Sequence, residues 1–260
     1  MREESGAPYS AYGDPSRPTI IFIHGIRLGR EVWAPHARAL ANDYHVVTLD
    51  LPGHGALAPI PFTSQNLNAL IGGVIERFCT ARRPLIVGYS LGGYVTMNYA
   101  AEYPDRTRGL LLAGCTLDFE SWKRWPYELS VRLSQAIPET LLSRLLDVSL
   151  HLTLPKALAD VVSPIPFNRD VFSRTNALAR SHTRFSEKLA GYRHPVLFVN
   201  GEFDLVFRLD ERRFLKRLPQ ARLRVLRGTD HTGPLRRVEE FTSTVRLFAQ
   251  KVFAHDPHGR

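Results

Sequence analysis

Cysteine is scarce in this chain: two residues in 260, Cys79 and Cys115, far apart and without metal-ligand spacing. That excludes a disulfide-stapled scaffold and a zinc module, and it is what a reduced cytoplasmic protein with core or near-core thiols would carry. Apolar runs are short. None is long enough to span a bilayer, and the polar, turn-rich start "MREESGAPYSAYGDPSRP" contains no apolar segment of a signal peptide. A membrane protein is therefore not expected. Internal repeats, low-complexity blocks, a dinucleotide glycine fingerprint and a phosphate loop are also missing, so no cofactor is expected.

Positive charge is plentiful, with a formal net charge of +9. A nucleic-acid partner does not follow from it. The densest stretch, "RLDERRFLKRLPQARLRVLRG", mixes arginine with acids and apolar residues, as the solvated face of a helix followed by a strand would. No aromatics are interleaved for base stacking.

What the chain does contain is alternation. "PTIIFIH" (18–24), "YHVVTLD" (44–50), "PLIVG" (84–88), "RGLLLAG" (108–114), "HPVLFVNG" (194–201) and "ARLRVLRG" (221–228) are short apolar, β-branched runs. Helix-like stretches separate them: "REVWAPHARALAN", the segment from Ser64 to Cys79, the segment from Leu91 to before Pro104, a charged stretch, and a last one ending near Phe253. Strand–helix repetition implies an α/β fold with a mostly parallel sheet flanked by helices. Residues 116–189 break the rhythm, being helix-like and punctuated by five prolines. The expected organisation is a core of 1–115 and 190–260, with 116–189 inserted between two sheet strands as a helical cap.

The stretch "GYSLGG" (88–93) falls where a strand ends and a helix begins. Ligands of open parallel sheets bind beyond the carboxyl ends of the strands. A serine on a sharp strand-to-helix turn is pushed outward, and glycine fits on both sides because strand and helix nearly touch. G-x-S-x-G alone has a chance expectation of about 0.1 in a chain of this composition. Its position between strand and helix is what makes Ser90 a candidate nucleophile.

With "HG" at His24-Gly25, "DLPGHG" (50–55), "GYSLGG", "NGEFD" (200–204) and "GTDH" (228–231) followed by "VEEF" in this order, the chain resembles the α/β-hydrolase superfamily, in its branch of capped esterase-like and lactonase-like enzymes. The resemblance covers roughly residues 9–113 and 194–253; no motif covers the cap. It implies a catalytic triad in the order Ser90, Asp204, His231. A serine hydroxyl is a weak nucleophile and needs a base, and the base needs an acid to fix its tautomer. Asp118, after the strand ending at Gly114, is the alternative acid; Glu202 is near Asp204, and Asp230 reads as a turn cap. His24 and His54 belong to loops that shape the site. The resemblance also implies an oxyanion hole from the backbone N–H groups of Ile26 and Leu91.

Substrate contacts are expected from Tyr89 beside the nucleophile, from Arg27 beside the oxyanion residue, and from Trp122 and Trp125 in the cap, with Phe119, Tyr127, Phe167 and Phe172 as further aromatic candidates. Two departures from the family pattern stand out. The part before His24 holds one strand, around "YSAYGDP", instead of a hairpin, and the acid loop "EFDLVF" lacks a proline. A serine at the elbow excludes relatives that use aspartate there. The implied function is hydrolysis of a carboxylic ester, thioester or lactone of a small, largely apolar molecule by a monomer or homodimer. Acyl transfer, carbon–carbon hydrolysis or ligand binding with little turnover are the alternatives on the same residues.

Overall fold

The computed structural model describes residues 7–79, 82–162, 169–181 and 184–254. Seven strands form one sheet in the order β1-β3-β2-β4-β5-β6-β7. They are β1 (Tyr9–Tyr12), β2 (Thr19–Ile23), β3 (His45–Leu49), β4 (Leu85–Tyr89), β5 (Gly109–Ala113), β6 (Val196–Gly201) and β7 (Ala221–Leu226). All pairings are parallel except that of β1 with β3. The single strand expected before His24 is β1, and the α/β class read from the alternation is the one observed.

The unbroken apolar runs of β2, β3, β4 and β5 follow from burial on both faces. Ile20 and Phe22 point to one side and Ile21 and Ile23 to the other, by the two-residue period of a strand. The first side is covered by α1 (Ala34–Leu40) and, from the far end of the chain, a long C-terminal helix. The second is covered by α2 (Ser64–Phe78) and α3 (Leu91–Glu102). Thr63 caps α2 by accepting the Asn66 N–H at 3.2 Å. The helix expected over "REVWAPHARALAN" is shorter than that stretch. Residues Arg30–Trp33 form a tight 3₁₀ turn, and α1 starts only at Ala34, because Pro35 has no N–H and fits only the first turn.

Between β5 and β6 lie α4 (Trp125–Ala136), α5 (Glu139–Thr153), α6 (Lys156–Val162), α7 (Arg169–Ser181) and the short α8 (Phe185–Lys188). The ends of this segment meet: Asp118 accepts the Ser186 N–H at 3.0 Å and its hydroxyl at 2.6 Å, and the Phe119 and Phe185 rings are 6.2 Å apart. After β6 come α9 (Glu211–Arg217), before β7, and then α10 (Gly233–Arg236) and α11 (Val238–Ala254). Cys79 and Cys115 are free thiols; burial pushes Cys79 up to about 11. Among the described residues no helix is long and apolar enough to cross a membrane.

Candidate active site

Ser90 sits between β4 and α3 with φ 52° and ψ −117°, one of two non-glycine residues with positive φ among those described. A conformation of this kind costs of the order of 1–3 kcal/mol and persists only where neighbours enforce it. Here the Ser90 N–H donates to the Ala113 carbonyl at 2.8 Å, while the Ser90 carbonyl accepts from Gly93 at 2.9 Å. The glycines are required by space. A Cβ on Gly92 would lie 2.4 Å from the Ile23 carbonyl oxygen, and one on Gly88 would lie 2.6 Å from that of Gly92.

The loop after β6 carries Asp204 and the loop after β7 carries His231. Asp204 Oδ2 is 2.7 Å from His231 Nδ1, and His231 Nε2 is 3.0 Å from Ser90 Oγ. A carboxylate can only accept, so Nδ1 carries the proton and Nε2 is left to accept from the serine. Asp204 is nearly sealed from solvent, with 4% of its side chain exposed, whereas His231 retains 30%. Asp118 does not reach this chain of bonds; it is fully buried, bonded to Ser186 and adjacent to Arg213. Asp230 caps its own turn through Thr232, and Glu202 accepts the Gly228 N–H.

The imidazole lies between two rings. Phe207 stacks on it at 4.5 Å, and Tyr89 is tilted against it at 5.3 Å. Tyr89 is buried, its hydroxyl donates to the His231 carbonyl at 3.1 Å, and burial raises its pKa. Its hydroxyl is thus held by the histidine loop, while its ring packs edge-on against Trp33 at 6.1 Å. Gly114, with φ 61°, closes the opposite side, since a Cβ there would be 2.8 Å from His231 Cε1. Phe207 and Gly114 were not anticipated from sequence. Gly114 directly follows β5, the strand beside β4 in the sheet, and a glycine at that strand end is a signal that could have found the second.

His24 is fully buried and held neutral, with desolvation lowering its pKa to about 3. Its Nδ1–H donates to the Gly25 carbonyl at 2.7 Å and its Nε2 accepts from the Leu51 N–H at 3.0 Å, which fixes the loop leading to Ile26. Asp50 does the same for the neighbouring loop, accepting from the N–H groups of Arg30 and Ala56 and pairing with the Arg30 guanidinium. His54 is buried beside His24, with its ring 5.1 Å away.

Two cavities meet at Ser90. The larger, about 210 Å³, is bordered by Ile26, Leu91, Tyr94, Phe119, Phe172 and Phe207, together with Ser130, Thr175 and Asn176. The smaller, about 120 Å³, takes in Tyr89, His231, Leu28, Leu150, Leu154 and Leu235. A roomier groove of about 640 Å³ between Arg38 and Pro155 contains none of Ser90, Asp204 or His231.

Three of the expected substrate contacts are elsewhere. Trp122, in the 3₁₀ turn Ser121–Arg124, and Trp125, at the start of α4, are 69% and 64% exposed and border neither cavity; the buried side of α4 carries Val131 and Ser134 instead. Arg27, with φ 60°, turns to Asp147 of α5 at 3.2 Å. Phe119 and Phe172 do border the larger cavity, whereas Phe167 and the Tyr127 side chain lie outside the described residues.

The sequence model of the alpha/beta hydrolase family matches residues 20–244, most of the chain. The chain belongs to that family. A pimeloyl-[acyl-carrier protein] methyl ester esterase of Chromobacterium violaceum is 30% identical to it over 170 residues, covering 64% of this chain and 62% of that protein. A 2-succinyl-6-hydroxy-2,4-cyclohexadiene-1-carboxylate synthase of Klebsiella pneumoniae is 33% identical over 103 residues, 39% of this chain and 40% of the relative. The chain thus spans less than two thirds of the length of these curated relatives. A solved carboxylesterase structure from Nitrososphaera gargenis superposes with a TM-score of 0.79 at 21% identity, covering 95% of both chains, which shows the shared fold.

Proposed function

We propose that this hydrolase-family chain is a serine hydrolase cleaving a carboxylic ester or thioester of a small, largely apolar molecule through an acyl-serine intermediate. The observation that carries the reading is the unbroken run of hydrogen bonds from Asp204 through His231 to Ser90 at the meeting point of two cavities. Ser90 Oγ attacks the carbonyl carbon while its proton passes to His231 Nε2, and Asp204 stabilises the resulting imidazolium. The carbonyl oxygen becomes an oxyanion, met by the backbone N–H groups of Ile26 and Leu91; one such donor contributes about 3–4 kcal/mol. The bond to the leaving oxygen of an ester, or sulfur of a thioester, then breaks, and that atom takes the proton from His231. Water repeats the sequence on the acyl-serine and frees the acid. The helices α4 to α7 act as the cap, supplying Ser130, Phe172, Thr175 and Asn176 to the larger cavity.

The free thiols are in keeping with a cytoplasmic location, and a monomer or homodimer is expected from a site built within one chain. A second reading, in which the same residues break a carbon–carbon bond or transfer the acyl group, draws on the Klebsiella relative's being a synthase. Product analysis with and without an acceptor alcohol separates the two. The deciding experiment is intact-mass analysis after exposure to a fluorophosphonate. Stoichiometric adduct on Ser90 of the wild type, absent in Ser90→Ala, is expected, with turnover falling by about 10⁶ in the variant. Folded wild-type protein that resists the reagent would overturn the acyl-serine reading.

A further inference from the structure

The two cavities share Ser90 and Ile26, but only the smaller contains His231. This asymmetry assigns the ends of the substrate, given the acyl-serine reading on which it rests. When the tetrahedral adduct collapses, the proton on His231 Nε2 goes to the departing oxygen, so the alcohol must lie on the histidine side. That compartment, about 120 Å³, is walled by Leu28, Leu150, Leu154 and Leu235. It admits a short apolar alcohol and offers little to a charged one. The acyl chain is then left with the compartment of about 210 Å³.

The acyl compartment is not uniformly apolar. Its aromatic wall is interrupted by Ser130 of α4 and by Thr175 and Asn176 of α7, the last two buried at 4% and 7% exposure. Buried hydroxyl and amide groups at a cavity wall cost stability unless something bonds to them. The Thr175 hydroxyl and the Asn176 amide N–H both donate to the Phe172 carbonyl, at 2.9 and 2.7 Å. With its hydrogen committed there, the Thr175 oxygen offers a ligand an acceptor. Among the described residues bordering this cavity there is no Lys, Arg, His, Asp or Glu, and Arg27 nearby is engaged with Asp147. We infer that the substrate is an ester of a short apolar alcohol whose acyl chain bears an uncharged hydrogen-bond donor, a hydroxyl or an amide N–H, received by the Thr175 hydroxyl oxygen.

The test compares three methyl esters of matched length, methyl heptanoate, methyl ω-hydroxyhexanoate and monomethyl adipate, on the full chain. The hydroxy ester should lead the alkyl ester in kcat/KM by several-fold to about tenfold, the worth of one hydrogen bond, and the carboxylate ester should be poorest. Thr175→Val should erase the lead of the hydroxy ester while still labelling with fluorophosphonate. If that variant does not label, Thr175→Ala serves in its place and should shrink the same ratio. Leu154→Trp should penalise butyl esters against methyl esters and leave the acyl-end preference alone. Wild-type protein that labels at Ser90 but prefers the carboxylate or alkyl ester, or a preference unmoved by these variants, would overturn this assignment alone. Failure of the wild type to label would overturn it together with the acyl-serine reading.

Discussion

Asp204 Oδ2 lies 2.7 Å from His231 Nδ1, while Asp118 is spent on Ser186. The two carboxylates therefore separate in their effects. Asp204→Asn keeps the size but reverses the hydrogen-bond polarity, and kcat should fall by about 10⁴ with little change in Tm. Asp118→Asn should do the opposite, costing about 1–3 kcal/mol of stability and leaving kcat within a few-fold. Ester kinetics and thermal melts of both variants check the pair.

Two glycines give a matched contrast in space. At Gly92 an added methyl meets the backbone oxygens of Ile23 and His24 at 2.4 and 2.6 Å, whereas at Gly73 nothing lies within 4 Å. Gly92→Ala should destabilise by about 3 kcal/mol or more, as overpacking against backbone cannot relax. Gly73→Ala, in the interior of α2, should stabilise by up to about 1 kcal/mol. Urea titration measures both.

Acid should unfold this protein early. His24 and His36 are buried, and desolvation depresses them to about 3 and about 4 from an ordinary 6.5. Between those values and 6.5 the unfolded chain binds protons that the folded one refuses, so stability is complete above about pH 6.5 and is lost as pH falls below it. Each histidine contributes a slope of about 1.4 kcal/mol per pH unit in its window. His36 sits among Phe22, Trp33 and Phe241, away from the site, with Nε2–H donated to the Pro234 carbonyl. His36→Phe should remove its share of the slope between pH 6 and 4.5, read from denaturant titrations at several pH values.

Arg27 follows Ile26 directly, and its pairing with Asp147 ties the loop after β2 to α5. The pair is partly exposed and worth at most about 1 kcal/mol. Asp147→Asn should lower kcat/KM by about fivefold or less. The deficit should narrow in 1 M salt, where the screening length of about 3 Å weakens the wild-type pair as well. Salt-dependent kinetics of the two proteins test this.

The sheet and the elbow were legible because their determinants are local. Runs such as "TIIFI" and "LIVGY" are apolar since both faces of the strand are covered, and a serine between glycines is a backbone requirement written into three adjacent residues. The lining of the cavities was not legible in the same way. Trp122 and Trp125 are aromatic but exposed, and Arg27 is claimed by a residue 120 positions away. Which side of a helix faces a cavity depends on how separate segments pack, and neither Thr175 nor Asn176 carries a local mark of its position.

The bond between Asp118 and Ser186 has a consequence for how this molecule can change. It fastens together two points that flank α4 to α7, an excursion between β5 and β6 that takes no part in the strand order. Ser90, Asp204 and His231 all lie outside that excursion. Another set of helices could be grafted between the same two anchors, giving the cavities at Ser90 a new shape while Ser90, Asp204 and His231 keep their places.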